Sequence, residues 1–115
     1  MPMLKVHTSA TIDEATTTTL LTELSRIVAQ TIGKPETYVM TIVDQAPMCM
    51  AGEVGPAAFG DLRSIGGLTP AVNRSLSEQI SELLHARLGL ATSRVFLNFT
   101  EVDGSSWGHD GGTFG

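Results

Sequence analysis

The chain has 115 residues, 42% of them hydrophobic, and a formal net charge of −5, which suits one domain able to bury about two-thirds of its unfolded surface. That acidic balance, with no run of Lys or Arg, excludes the electrostatic footprint of a nucleic-acid-binding protein, and no apolar run reaches the roughly 18 residues a membrane helix needs. A single cysteine, Cys49, excludes an intramolecular disulfide framework and a cysteine-based zinc site.

Met1 is not followed by the basic and then apolar segments of a secretory signal, so a cytoplasmic location is expected, with leaderless export left open. On the same ground the sequons at Asn73-Arg74-Ser75 and Asn98-Phe99-Thr100 are discounted. Residues 3–8 alternate Met3, Lys5 and His7 against Leu4, Val6 and Thr8, which predicts a strand. Thr11-Ile12-Asp13-Glu14 reads as a capping box with Thr11 at the N-cap. Behind it Leu20, Leu21, Leu24, Ile27, Val28 and Ile32 form an apolar stripe at helical spacing, and Gly33 supplies a left-handed stop. Tyr38 to Val43 reads as a second strand. A Pro-, Met- and Gly-rich stretch spans Asp44 to Gly55, and Ala57 to Ile65 reads as a third strand.

The pattern then repeats. Thr69-Pro70 is an N-cap with proline at the first helical position; Val72, Leu76, Ile80, Leu83, Leu84 and Leu88 make the second stripe, and Gly89 ends it. Arg94 to Thr100 is the fourth strand. Aligning Gly33 with Gly89 gives an offset of 56 residues (33 to 89), so residues 1–115 read as one domain of two pseudo-repeats, about 1–55 and 56–115. Right-handed crossovers within each unit predict an α/β (α+β) fold, a four-stranded sheet with both helices on one face. The opposite face, carrying Val39, Thr41, Phe96 and Asn98 or their neighbours, reads as too apolar to be solvated throughout, which predicts a homo-oligomer. The tail from Asp103 is too glycine-rich for a helix, yet Trp107 and Phe114 predict that it packs on something.

Pro2 is the first chemical candidate. Methionine followed by proline is normally trimmed, which leaves a secondary amine at Pro2. An unperturbed terminal amine titrates at about 7.7–8.0, and apolar burial lowers that value because it disfavours the ammonium form. Proton abstraction beside a carbonyl needs such a base near working pH. In purely structural terms Pro2 starts an edge strand, where its missing N–H does no harm. With Met1 retained, the Pro2 nitrogen is a tertiary amide without a basic lone pair.

Lys34, between Gly33 and Pro35, is either a surface cation complementing a helix C-terminus or a carboxylate-binding group at a pocket mouth, where its charge would further disfavour a Pro2 ammonium. Ser64-Ile65-Gly66-Gly67 is a turn whose glycines would also allow close backbone approach to a ligand. The pair His109-Asp110 has no accompanying nucleophile motif, so His109 reads as a loop histidine, and His85 as a surface or partly buried structural residue.

Met1-Pro2 before a short strand, "GKPETYVM" after the first helix, "SIGGL" before the second, "NRSLS" within it, "RVFLNF" and the terminal "TF" occur in one order. This succession resembles the macrophage migration inhibitory factor family of the tautomerase superfamily, essentially end to end. The resemblance implies tandem β-α-β subunits in a homotrimer, no cofactor and no metal, and keto–enol tautomerisation of small aryl α-keto acids of the phenylpyruvate type. It implies Pro2 as general base and acid, Lys34 as the carboxylate ligand, Ile65 acting through its backbone with Ser64 beside it, and Tyr38 and Phe96 lining the pocket. Asn98 would make a polar contact from a neighbouring subunit, and Met3 and Trp107 would be apolar walls.

Phe96 stands where relatives often carry tyrosine, and His109 where a second aromatic wall is common; either change would lower activity or shift substrate preference. Ala57-Ala58-Phe59-Gly60 replaces the Cys-x-x-Cys of the vertebrate cytokines, which excludes thiol oxidoreductase chemistry of that kind. The rival expectation is a cytokine-like binding or signalling protein with vestigial tautomerase activity.

Overall fold

The computed structural model describes all residues from Met1 to Gly115, and it realises the first alternation residue by residue. In β1, Pro2–Thr8, the residues Pro2, Leu4, Val6 and Thr8 are buried while Met3, Lys5 and His7 are half-buried on the other face. Helix α1, Glu14–Ile32, starts later than the capping-box reading placed it: Asp13, not Thr11, is the N-cap, and its carboxylate accepts from Thr16 N at 2.7 Å. Asp13 wins because its extended backbone aims the short side chain at the third helical N–H, which leaves Glu14 in the first turn to complement the helix dipole. Gly33 closes the helix in the left-handed region at φ 79°.

After Pro35 a 3-10 turn, Glu36–Tyr38, engages the amides of Tyr38 and Val39 on the carbonyls of Pro35 and Glu36. The second strand, β2, therefore begins at Met40 and runs to Gln45. The stretch read only as rich in Pro, Met and Gly contains a small hairpin, β3 Cys49–Met50 and β4 Glu53–Val54. Its two-residue loop, Ala51-Gly52, has positive φ at both positions, the requirement of a tight hairpin turn matched to strand twist. Next come β5, Ala58–Ser64, and α2, Pro70–Leu88, capped by the Thr69 hydroxyl accepting from Val72 N at 3.2 Å. A 3-10 turn, Thr92–Arg94, leads into β6, Val95–Glu101, and the tail folds as a second hairpin, β7 Gly108–His109 and β8 Gly112–Thr113.

The main sheet has the order β2-β1-β5-β6, with β1 parallel to β2, β5 parallel to β6 and the central pair β1–β5 antiparallel. Both helices cover one face, where Leu4, Val6 and Leu62 of the sheet meet Leu20, Leu24, Leu76, Ile80 and Leu84 of the helices at zero exposure. No helix is long and apolar enough to cross a membrane.

The other face differs from expectation in membership and in character. Val39 packs against the core and the Thr41 hydroxyl donates to the Leu21 carbonyl of α1 at 2.9 Å, so both face the helices. Side chains alternate along a strand, which turns their neighbours Met40 and Ile42 to the open face. By register that face has three rows: Met40–Met3–Arg63–Thr100, Ile42–Lys5–Asp61–Asn98, and Asp44–His7–Phe59–Phe96. It is apolar in patches, with Phe96 63% and Met40 60% exposed. Charges lie among these patches, Asp44 at 3.9 Å from both Lys5 and His7 and Asp61 at 3.2 Å from Arg63.

Candidate active site

Pro2 lies not on an edge strand but at the head of β1, which is flanked on both sides. Proline is tolerated there because it is the first residue, before its missing N–H would break a ladder bond. Its ring is fully buried. Above it opens a cavity of about 330 Å³, in the ordinary size range of small-molecule sites. Three chain segments wall it: Met1 to Met3 at the start of β1, Thr37 to Met40 at the turn into β2, and the tail through Trp107, Gly108, His109 and Phe114.

The tail reaches this position because its backbone is tied across itself. Phe114 N lies 3.1 Å from the Gly104 carbonyl and 3.2 Å from that of Trp107. A Cβ at Gly104 would come within 3.0 Å of the Phe114 carbonyl oxygen, so a bare backbone is needed there. Held this way, Phe114 stacks on His109 at 5.3 Å with 19° between the rings, and Tyr38 stands nearly perpendicular to both, at 6.2 Å from His109 and 6.3 Å from Phe114.

Lys34 leaves the end of α1 and donates from Nζ to the Ile65 carbonyl at 3.0 Å. Gly67, at φ 81°, makes room for it: a Cβ there would lie 2.7 Å from Ile32 Cγ2 and 3.5 Å from Lys34 Cε. Gly67 thus admits the neighbouring helix end, whereas a Cβ at Gly66 would meet nothing within 4 Å. Electrostatically the chain's amino terminus responds to the site. The terminal ammonium, on Met1, is pushed below its ordinary value, first by burial and then by the charge of Lys34.

Of the residues singled out in the sequence, Pro2, Met3, Tyr38 and Trp107 line one cavity; Lys34 and Ile65 are bonded to each other and do not line it, although the Lys34 charge lowers the pKa of the terminal amine on Met1. Ser64 is buried, with its hydroxyl engaged on the Gly66 carbonyl at 2.8 Å, so it shapes the turn. Phe96 and Asn98 are not brought to Pro2 within one chain. Phe96 lines a separate apolar cavity of about 430 Å³ with Met48, Met50 and Phe59, and Asn98 donates to Thr100 Oγ1 at 2.8 Å. Sequence reasoning missed Thr37, Val39, Met40 and Phe114 as lining residues; His109, read from its neighbours as a loop histidine and by the resemblance as standing where a second aromatic wall is common, lies in β7 and lines the cavity. The signal was present in Trp107 and Phe114, aromatic residues in a glycine-rich tail. No group of three or more His, Cys, Asp or Glu stands where it could hold a metal ion.

A four-stranded mixed sheet under two helices, with a buried proline at the floor of an aromatic cavity, defines an α+β protein built from two β-α-β units. The family model for macrophage migration inhibitory factor matches residues 1–115, and the chain belongs to that family. It is 36% identical to the macrophage migration inhibitory factor homolog of Trichuris trichiura, over 82% of this chain and 83% of that one. It is 34% identical to macrophage migration inhibitory factor of Rattus norvegicus, over 99% of both. Among solved structures, the macrophage migration inhibitory factor-like protein of Entamoeba histolytica superposes with a TM-score of 0.95 at 34% identity, covering 98% of each chain. The homologue from Prochlorococcus marinus superposes at 0.94, with 32% identity over 98% of this chain and 99% of that one.

Proposed function

We propose that this protein is a keto–enol tautomerase of small aryl α-keto acids, working through the amine of Pro2 after loss of Met1. The observation that carries this reading is the burial of Pro2 at the floor of an aromatic-walled cavity beside the cation of Lys34. Lys34 holds the substrate carboxylate, and the aryl ring lies among Tyr38, Trp107 and Phe114. Pro2 nitrogen takes a proton from the carbon next to the carbonyl and becomes the ammonium; the ammonium then gives that proton to the enolate oxygen, directly or through a water, which restores the neutral amine, and the reverse steps return the keto acid. Lys34 or a water stabilises the developing negative charge, which in a dry site counts for more than in solution. No cofactor enters these steps.

Removal of Met1 transfers the terminal amine to Pro2 and uncovers its nitrogen. Burial and Lys34 both disfavour the charged form, so the neutral base persists at pH values below the ordinary amine range. kcat/KM for phenylpyruvate, measured on protein whose mass shows Met1 absent, rises with pH through a value below about 7.7–8.0 and is flat above it. Protein that retains Met1, in which the Pro2 nitrogen is an amide, is expected to turn nothing over, and Pro2→Gly, which keeps only a primary terminal amine, to turn over more slowly; undiminished activity with Met1 retained ends the mechanism. Inactive Met1-retaining protein that still drives cell migration would favour the cytokine-like reading instead.

The working form is proposed to be a homotrimer, supported by the partly apolar open face and by the distance in the fold between β6 and the Pro2 cavity. In that assembly Phe96 and Asn98 of a neighbouring subunit complete the site. A cytoplasmic location is part of the same reading.

A further inference from the structure

The two buried polar side chains of this protein, Thr8 and Ser64, stand at opposite ends of the β1–β5 ladder. Thr8 closes the far end, donating to the Ala57 carbonyl at 2.9 Å. Ser64 is the register partner of Pro2. A buried hydroxyl costs stability unless it is bonded, and that of Ser64 donates to the Gly66 carbonyl at 2.8 Å. The ring this bond closes contains the Ile65 peptide, so the bond sets the direction of the Ile65 carbonyl. That carbonyl in turn accepts from the Lys34 ammonium at 3.0 Å. The backbone on either side is already tied down: Lys34 N donates to the Ala29 carbonyl at 3.0 Å, and Val102 N donates to the Ser64 carbonyl at 2.9 Å. Ser64 lies at zero exposure on the helix-covered face, so a subunit docked on the open face leaves its contacts as they are.

We propose that Ser64 is a positioning residue of the Pro2 site and acts through Lys34: its hydroxyl fixes the Ile65 carbonyl, and that carbonyl keeps the Lys34 ammonium within range of the terminal amine. The inference rests on the reading of the Pro2 amine as the base, and its test is arranged to separate the two ideas. Lysine carries its charge on a long flexible stem, and without a fixed acceptor the charge spreads over many rotamers. An ammonium held in one place disfavours a second ammonium nearby; a wandering one does so less and grips a carboxylate less well. Gly66 and Gly67, at φ 71° and 81°, are the residues best able to let the Ile65 peptide swing once the Ser64 bond is gone.

The test reads the amine itself. In Met1-free protein Pro2 is the only one of five prolines whose nitrogen is an amine, so nitrogen NMR of proline-labelled protein follows its titration without turnover. Ser64→Ala is expected to raise the pKa of that amine toward the ordinary value, by less than Lys34→Leu does. It should also lower kcat/KM for phenylpyruvate roughly three- to tenfold, the worth of one loosened contact. Ser64→Cys, nearly the same size but a weaker donor, should fall between Ser64→Ala and the unaltered protein, and it carries the test if the alanine variant does not fold. Added to Lys34→Leu, Ser64→Ala should move the titration no further, because both act on the same charge. A hydroxyl that only stabilised the fold would lower the melting temperature and leave the titration in place. An unmoved titration in the folded Ser64 variant, or a shift that adds in full to that of Lys34→Leu, overturns the assignment. If the titration shifts as expected in protein that turns over no phenylpyruvate, the tautomerase reading falls and Ser64 keeps its role.

Discussion

The first and second β-α-β units share one plan and part company just past their helices. β1 and β5 begin 56 positions apart (2 to 58), as do α1 and α2 (14 to 70), their caps Asp13 and Thr69, and the left-handed glycines Gly33 and Gly89. One residue beyond each glycine the difference appears. Leu90 is buried in the core at zero exposure, whereas Lys34 stays half-buried and reaches the Ile65 carbonyl. Four residues further on, Tyr38 walls the Pro2 cavity, while Arg94 folds back on the β3–β4 hairpin and donates to the carbonyls of Pro56, Met50 and Glu53 at 2.8, 3.2 and 3.0 Å. The strands differ at their heads as well, Pro2 against Ala58. One copy of the unit carries the candidate chemistry, and the other supplies packing and anchorage.

This asymmetry can be broken most severely at Leu90. Leu90→Ala removes a fully buried side chain and should cost about 2–5 kcal/mol, read from denaturant unfolding, with the pH profile of the surviving activity unchanged. An effect below about 1 kcal/mol would mean that the second unit does not anchor the core as described.

Making the first unit resemble the second tests the opposite half. Lys34→Leu should lower kcat/KM by roughly 10- to 100-fold, the worth of one charge-assisted contact, with little change in stability. It should also move the rising limb of the pH profile upward. That shift stops short of the free-amine value, because burial of the amine remains. An unmoved limb would show that Lys34 does not act on the amine.

The smallest effects lie at the matched caps. Thr69→Ala should cost about 1 kcal/mol at any pH. Asp13→Ala removes a carboxyl that hydrogen bonds from Thr16, the backbone N–H above all, hold below the usual carboxylate range. The stabilisation from Asp13 is present above its unfolded pKa and is lost as pH falls through the lower folded value. The gap in melting temperature between Asp13→Ala and the unaltered protein should therefore close on acidification, while that of Thr69→Ala should not.

Local periodicity and capping made the repeat legible, since a period of two, a helical stripe and a terminal glycine are each properties of a few adjacent residues. The same locality explains the shifts at element ends. Choosing between Thr11 and Asp13 depends on which side chain reaches an amide, and the late start of β2 on a 3-10 turn set by Pro35. The aromatic wall was half legible. Trp107 and Phe114 marked the tail as packed, yet nothing near His109 in the chain announces Tyr38, which is 71 positions away (38 to 109).

By itself the sequence determined the four strands of the main sheet, the two helices, their stops and the presence of a proline behind Met1, because hydrophobic period and turn chemistry act over one or two turns of chain; the two small hairpins were not legible in it. Only the tertiary structure decided that β1 is an inner strand, that Lys34 and Ile65 meet, and that Tyr38, His109 and Phe114 share one cavity with Pro2. Those contacts join the start, the first third and the end of the chain. They are fixed by sheet order and tail packing, which are settled by burying the whole core at once.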